Sequence, residues 1–173
     1  MLAIVGLPLV GKSTVGRLLA SQLKRPFIDL DVAIEQRIGC SIKDFFEARG
    51  EAEFRDIEAE MIERLTRIDR CVLSTGGGSV LRAENRQTLK VRGTVIYLFA
   101  KPEQIYPRMK SDSKRPLLLC ENPHERLNQL YAARDGYYRE AAHYVIHAGG
   151  RPSKMVVRAI VDELNDWKRR QLI

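Results

Sequence analysis

The sequence predicts an α/β fold in which helices cover a parallel β-sheet. Five short apolar runs alternate with helical patterns along the 173-residue chain, at residues 2–6, 27–30, 71–74, 94–99 and 144–147. Such alternation is typical of parallel sheets, whose strands are joined through helices. A glycine-rich loop after the first run leads directly into a helical pattern, which is a second sign of this fold class. The length, with 45% hydrophobic and 29% charged residues, fits one domain over residues 1–173.

The loop after the first run reads GLPLVGKS at residues 6–13 and matches the pattern G-x-x-x-x-G-K-[ST]. Glycines let the backbone N–H groups point at phosphates, Lys12 reaches the β and γ oxygens, and Ser13 offers a hydroxyl to Mg²⁺. Leu9 stands where such loops commonly carry glycine. Because leucine resists positive φ, the middle of the loop is expected to differ in shape. The loop predicts a protein that binds nucleotide phosphates.

Two carboxylates close the second predicted strand, Asp29 and Asp31. Strand alternation would put both on one face, at the edge of the sheet where ligands bind in open α/β folds. One carboxylate can help to hold Mg²⁺, and the other can engage a hydroxyl that receives phosphate.

The third predicted strand leads into three successive glycines, Gly76, Gly77 and Gly78. Without side chains, they predict a place where a ligand lies directly on the backbone, although a flexible turn has the same signature. Before this strand, residues 41–49 predict a short helix closed by Gly50, and the apolar spacing through residue 68 predicts a long amphipathic helix. Arg55 lies at the start of that long helix, but spacing alone does not separate a site arginine from a solvated one.

Residues 110–123 are polar at first, contain two prolines and have no periodicity, which favours a mobile lid. Closure of such a lid could bring Arg115 onto a transferring phosphoryl group. Helical patterns follow at residues 127–142 and 154–170, and no repeat or interdomain linker is apparent.

The net charge of +7 raises the alternative of nucleic-acid binding. Basic residues alternate with acidic ones, for example in residues 51–70, so a site for small anions is favoured over a nucleic-acid surface. Three widely spaced cysteines, Cys40, Cys71 and Cys120, indicate a reducing compartment without a structural metal. No signal peptide or membrane span is predicted, and we expect a cytoplasmic monomer without membrane partners.

Taken together, these motifs resemble the shikimate kinases, small kinases of the nucleoside-monophosphate-kinase type, over nearly the whole chain. The resemblance rests on the loop at 6–13, FIDLD at 27–31 followed by IEQRIG at 34–39, EFR at 53–55, STGGG at 74–78 and KRPLL at 114–118. It implies a three-layer αβα fold, five parallel strands ordered 2-3-1-4-5, a lid, and a substrate-binding subregion over about residues 31–60. It also implies ATP-dependent phosphorylation of the 3-hydroxyl of shikimate with Mg²⁺, in aromatic amino-acid biosynthesis.

The resemblance further assigns roles to individual residues. Asp31 matches the residue that binds the shikimate hydroxyls, Asp29 (through water) and Ser13 match the Mg²⁺ pair, and Gly76 to Gly78 match a platform under the ring. Arg55 and Arg134 match the arginines that clamp the substrate carboxylate, which suits planar guanidinium groups. The implied catalytic residues are Lys12, Asp31 and Arg115. The implied ATP-binding residues are Gly6, Leu7, Pro8, Leu9, Val10, Gly11, Lys12, Ser13, Thr14, Arg108, Arg115, Arg151 and Pro152.

One segment departs from the family pattern. After Arg134 the chain reads Asp135-Gly136-Tyr137-Tyr138, where the family usually has x-Pro-Leu-Tyr. The missing proline leaves this segment less rigid.

Besides nucleic-acid binding, three alternatives to a shikimate kinase stay open at this point. A kinase for another hydroxy acid such as gluconate would share the loop and lid, but is disfavoured by the aspartate pair combined with Arg55 and the glycines. A nucleoside-monophosphate kinase would need a base-recognising pocket. A GTPase-like regulatory module would need N-K-x-D and D-x-x-G elements, and the sequence contains neither string.

Overall fold

A computed structural model describes residues 1–109 and 122–170. Its elements, in chain order, are β1 Leu2–Val5, α1 Lys12–Leu23, β2 Phe27–Asp29, α2 Leu30–Ile38, α3 Ile42–Leu65, β3 Val72–Ser74, α4 Ala83–Arg92, β4 Thr94–Phe99, α5 Pro102–Met109, α6 Pro123–Ala141, β5 Tyr144–His147 and α7 Ser153–Arg170.

The five strands form one parallel sheet in the order β2-β3-β1-β4-β5, which confirms the expected strand order. Ile4 of β1 pairs with Ser74 of β3 on one side and with Ile96 of β4 on the other. Every residue of β1 is buried, as apolar side chains cover both faces of a parallel sheet. All five strands therefore end at one edge, and the segments that follow them meet there.

Helices form a layer on each side of the sheet, as the three-layer prediction requires. α1 packs against α7, while α4 packs against both α3 and α6. Within residues 1–109 and 122–170, every helix is too short or too polar to cross a lipid bilayer.

The break predicted at Gly50 is confirmed. Gly50 has φ 83 and ψ 171 in the middle of α3, so two helical segments meet there at a kink. Glycine tolerates this left-handed φ without a steric penalty. The second segment ends at Leu65, before the predicted end at residue 68, and the hydroxyl of Thr66 at its C-cap donates to the Ile62 carbonyl oxygen.

The prediction that Asp29 and Asp31 alternate along one strand is wrong. β2 ends at Asp29, and α2 begins at Leu30, so Asp31 lies in the first helical turn. The Asp29 side chain caps this helix by accepting a hydrogen bond from the Asp31 backbone N–H at 3.2 Å. An aspartate that can cap a helix ends the extended chain earlier than strand periodicity suggests.

Three helices were not predicted from the sequence pattern: α2, α4 and α5. α4 buries only Asn85 and Leu89, so its sequence has little amphipathic pattern. The predicted lid at residues 110–123 falls almost wholly outside the described residues, but Pro123 is the first residue of α6, where proline suits the first turn of a helix.

Candidate active site

The phosphate-binding loop joins β1 to α1. Gly6 has φ 148, and an added Cβ would lie 2.7 Å from the backbone oxygen of Leu98. Gly11 precedes α1 with φ 102, so the chain turns into the helix through a conformation that glycine favours. The loop thus lies at the amino end of a helix, where unpaired N–H groups and the helix dipole attract phosphates.

Leu9 does not reshape the loop in the way predicted. Its φ is 65, so the leucine adopts the left-handed conformation that a glycine would take. This conformation costs about 1–2 kcal/mol in a non-glycine residue. The half-buried Leu9 side chain packs against the hydrophobic core, and that contact offsets the cost.

Lys12 is buried, with 7% of its surface exposed. Its Nζ donates hydrogen bonds to the carbonyl oxygens of Gly6 at 2.8 Å and Leu7 at 2.9 Å. The ammonium group therefore lies over the concave side of its own loop. This location suits a cation that contacts the β- and γ-phosphates of a nucleotide.

Ser13, Asp29 and Ser74 form a cluster of oxygen atoms beside the loop. The Ser13 hydroxyl donates to Asp29 Oδ2 at 2.6 Å and lies 3.4 Å from Ser74 Oγ. Within the described parts of the chain, no three His, Cys, Asp or Glu residues form a metal-binding group. Mg²⁺ commonly binds through one or two protein oxygens together with phosphates and waters, and Ser13 and Asp29 fit that pattern.

Arg55 lies in the second segment of α3, with 14% of its side chain exposed. It donates through Nη1 to Glu58 Oε2 at 2.6 Å, and through Nη2 to Glu51 Oε1 at 2.8 Å. Burial alone would lower the pKa of Arg55, but Glu58 and then Glu51 outweigh burial and raise the pKa above its usual value. Arg55 is thus a fixed, permanent positive charge.

Glu58 is 1% exposed, and its second oxygen, Oε1, accepts from the Ser79 hydroxyl at 2.7 Å. This carboxylate is not among the residues predicted from the sequence. A signal was available, because Glu58 occupies a core-facing position of α3 between the buried Phe54 and Met61. A charged residue at a core position of an amphipathic helix needs a partner.

The three glycines lie against side chains of the chain itself, while contact of a ligand with their backbone stays a prediction. An added Cβ at Gly78 would lie 2.5 Å from Arg55 Nη2, and one at Gly76 would lie 2.7 Å from Asp31 Oδ1. At Gly77 it would lie 3.0 Å from the ring of Pro8. The glycines are needed because these groups approach the backbone closely.

Arg134 and Tyr138 reach the same glycine segment from α6. Arg134 Nη1 donates to the Gly77 carbonyl oxygen at 3.1 Å, and the Tyr138 hydroxyl donates to it at 2.6 Å. Burial raises the pKa of Tyr138 to about 12, so the hydroxyl keeps its proton. Tyr138 was also missed, since a tyrosine four residues after an arginine carries no chemical signal of its own.

The structure thus brings together Asp31, Arg55, Arg134 and the three glycines, beside the loop that carries Lys12. Four other residues that are expected to bind ATP, Thr14, Arg108, Arg151 and Pro152, lie on other elements of the fold. Arg151 and Pro152 are exposed between β5 and α7, and Thr14 is exposed in the first turn of α1. Arg108 lies in the last turn of α5, but its side chain is outside the described part of the chain, and so is Arg115 altogether.

The sequence of this chain is similar to those of known shikimate kinases. The family model for shikimate kinase matches residues 8–165. A shikimate kinase from Burkholderia pseudomallei is 52% identical over 149 residues, which cover 86% of this chain and 80% of that protein. One from Ralstonia nicotianae is 49% identical over 160 residues, which cover 92% of this chain and 84% of that protein.

The fold is similar to that of solved shikimate kinases. The shikimate kinase from Acinetobacter baumannii in complex with shikimate superimposes with a TM-score of 0.92 and 40% identity, covering 96% of this chain and 93% of that chain. A gluconokinase from Sinorhizobium meliloti is 17% identical with a TM-score of 0.58, over 98% of this chain and 95% of that chain, a likeness that shows the fold alone. Fold, motifs and relatives therefore agree that this chain belongs to the shikimate kinase family.

Proposed function

We propose that the protein transfers the γ-phosphoryl group of ATP to the 3-hydroxyl of shikimate, giving shikimate 3-phosphate and ADP. One observation carries the proposal: two arginines and an aspartate converge on the glycine segment beside the phosphate-binding loop. Arg134 donates to the Gly77 carbonyl at 3.1 Å, and the Arg55 guanidinium and the Asp31 carboxylate lie against Gly78 and Gly76. Shikimate carries one carboxylate and three hydroxyls, and this set of side chains complements them.

The two arginines bind the substrate carboxylate in this proposal. Guanidinium groups match carboxylates with paired N–H donors, and each hydrogen bond between charged groups contributes about 1.5–3 kcal/mol. Arg55 is held in place by Glu58 and Glu51, so little side-chain entropy is lost when it binds substrate.

Asp31 binds the acceptor hydroxyl. Its position in the first turn of α2, directly after Asp29, keeps it close to the loop that binds phosphate. By accepting the hydrogen bond of the 3-hydroxyl, the carboxylate orients the oxygen toward the phosphorus atom. Orientation of this kind accounts for much of the catalysis of phosphoryl transfer, in which the transition state needs little covalent help.

The loop of residues 6–13 binds the phosphates through its backbone, and Lys12 exchanges its carbonyl contacts for phosphate oxygens. Ser13 and Asp29 would hold Mg²⁺, Asp29 through water, and the bound ion supplies charge neutralisation on the phosphates. Arg115 adds a guanidinium to the transferring group, and Arg108, Arg151 and Pro152 contact adenine. Local support for the metal pair is the short contact between the Ser13 hydroxyl and Asp29, at 2.6 Å.

The same proposal covers the setting of the enzyme. Residues 1–173 act as one kinase domain, as a cytoplasmic monomer that binds small molecules, not nucleic acid or membranes. The free thiols of the exposed Cys40 and the buried Cys71 suit a reducing compartment. The exposed ion pairs, in which basic side chains lie beside acidic ones, support a surface without a continuous basic stripe.

The experiment is to measure ADP production from Mg·ATP with shikimate, with gluconate and with nucleoside monophosphates as acceptors. We expect turnover with shikimate, and its loss in Asp31→Asn, which keeps the size of the side chain but removes its charge. Turnover with another acceptor in place of shikimate would support the kinase activity but refute shikimate as the substrate. Tight ATP binding without turnover on any acceptor would favour a regulatory module.

A further inference from the structure

α6 presents two pairs of residues, each four positions apart. Arg134 and Tyr138 both donate to the carbonyl oxygen of Gly77, at 3.1 and 2.6 Å. Asp135 and Arg139 lie one position further along the helix, and Asp135 turns toward β4. The two pairs therefore fix the same helix against two different parts of the fold, the glycine segment and the sheet.

Asp135 joins α6 to the middle of the sheet. Its Oδ1 accepts from the hydroxyl of Tyr97 in β4 at 2.8 Å, and its Oδ2 accepts from Arg139 Nε at 2.7 Å. Tyr97 is fully buried, whereas 47% of the Arg139 side chain is exposed. A buried hydroxyl needs a hydrogen-bond partner, so the bond to Tyr97 is the stronger constraint, and the exposed ion pair to Arg139 constrains less.

A glycine follows Asp135 directly in the chain. Gly136 lies inside α6, and a Cβ added there would meet no atom within 4 Å. Nothing in the packing therefore demands a glycine, and glycine gives a helix more conformational freedom than any other residue. Arg134 is two residues before this point, so the direction of its side chain depends on what holds α6 in place.

Tyr97 also supports the second contact to the glycine segment. Its ring stacks on that of Tyr138, with ring centres 5.0 Å apart and the planes inclined by 28°. Tyr97 thus contacts both Asp135 and Tyr138, and Tyr138 donates to the Gly77 carbonyl oxygen.

We propose that Asp135 is a positioning residue for shikimate binding, because its bond to Tyr97 fixes the rotation of α6 and thereby the guanidinium of Arg134. The inference rests on the proposed role of Arg134 in binding the substrate carboxylate. Asp135 itself touches no substrate; it acts through Arg134. Removing the bond leaves Arg134 in place along the chain but free to point elsewhere.

The test is steady-state kinetics of Asp135→Ala and Tyr97→Phe, each also made in an Arg134→Ala background. We expect each single variant to raise the KM for shikimate roughly five- to tenfold, as for the loss of one hydrogen bond, with the KM for Mg·ATP unchanged. In the Arg134→Ala background, the same changes should have little further effect, because the residue that they position is gone.

Two further variants separate positioning from general stability. Asp135→Asn keeps an acceptor oxygen for Tyr97 and loses only the charge pairing with Arg139, so it should restore the KM for shikimate to within about twofold of the original. Asp162→Ala removes an exposed aspartate from another helix, α7, and should change neither KM.

The outcomes are distinguishable. If Asp135→Ala and Tyr97→Phe raise the KM for shikimate equally with and without Arg134, or change both KM values together with the melting temperature, positioning through Arg134 is refuted. If Arg134→Ala itself leaves the KM for shikimate unchanged, the proposed carboxylate clamp fails, and the role of Asp135 fails with it.

Discussion

Replacing Arg55 by alanine should damage both shikimate binding and the fold, and the structure allows the two effects to be separated. Arg55 donates to Glu58 at 2.6 Å, and only 1% of the Glu58 side chain is exposed. The alanine variant therefore removes a substrate contact and also leaves a buried carboxylate whose remaining hydrogen-bond partner within the described residues is the Ser79 hydroxyl, at 2.7 Å.

Both magnitudes can be estimated. Loss of a charge-assisted bond to the substrate carboxylate costs about 1.5–3 kcal/mol, which corresponds to a rise of roughly 10- to 150-fold in the KM for shikimate. Breaking a buried ion pair by removing one partner costs about 3–5 kcal/mol of stability. For a chain of this length, that loss should lower the melting temperature by at least about 6 °C.

A second substitution separates the effects. In Arg55→Ala/Glu58→Gln, a neutral amide replaces the buried charge, so part of the stability should return while the KM for shikimate stays high. Arg49→Ala is a matched control, because Arg49 also pairs with a glutamate of α3, Glu53, at 2.9 Å, with both side chains largely exposed. It should cost less than about 1 kcal/mol.

The measurements are urea denaturation and steady-state kinetics of the original protein and of the variants Arg55→Ala, Arg55→Ala/Glu58→Gln and Arg49→Ala. An Arg55→Ala variant as stable as the Arg49→Ala control would refute the argument from the buried pair. A double variant that recovered shikimate binding together with stability would show that Arg55 acts only through the fold, not by contact with substrate.

Further predictions concern the backbone and pH. Gly78→Ala should raise the KM for shikimate in kinetic assays, because the added Cβ displaces Arg55. At Gly136 an added Cβ meets no atom within 4 Å, so Gly136→Ala should raise the free energy of unfolding in urea by roughly 0.5–1 kcal/mol. The free energy of unfolding of Leu9→Gly should be about 1 kcal/mol higher than that of Leu9→Ala, because the backbone φ at this position is 65. This is the reverse of the usual order of glycine and alanine. His143 accepts a hydrogen bond from a backbone N–H of β4 through Nδ1. Burial lowers the pKa of His143, so below about pH 6.5 the unfolded state binds more protons than the folded state, and the free energy of unfolding falls. His143→Asn should weaken that fall in urea titrations at pH 7.5 and 5.5.

The parallel sheet and the nature of the loop could be predicted because local patterns encode them, whereas the order of the strands was implied by the resemblance to shikimate kinases. Apolar runs of strand length, separated by helical patterns, leave few topologies for a parallel sheet. The break at Gly50 was equally accessible, since its φ of 83 is one that glycine tolerates. Roles of individual residues in catalysis stay predictions, because they depend on ligands and on residues 110–121.

Other features depend on contacts between distant residues. Asp29 caps a helix at the point where alternation predicted that the strand would continue, because the capping bond competes with extended pairing. Glu58 finds its partner Ser79 more than twenty residues away, and no spacing rule links the two. The sequence shows a charge at a core position, but not which group satisfies it.

The triple glycine shows most clearly where sequence reasoning ends. A run of glycines indicates that something lies close to the backbone, and a bound ligand and a side chain of the same chain leave the same signature. Here Arg55 lies against Gly78 and Asp31 against Gly76. The glycines therefore admit the two charged groups that are proposed to bind the carboxylate and the hydroxyl of the substrate, and direct contact of the substrate with their backbone stays a prediction. A larger residue at either position would move a binding group before it met any substrate, so the demand for glycine follows from how the site is built.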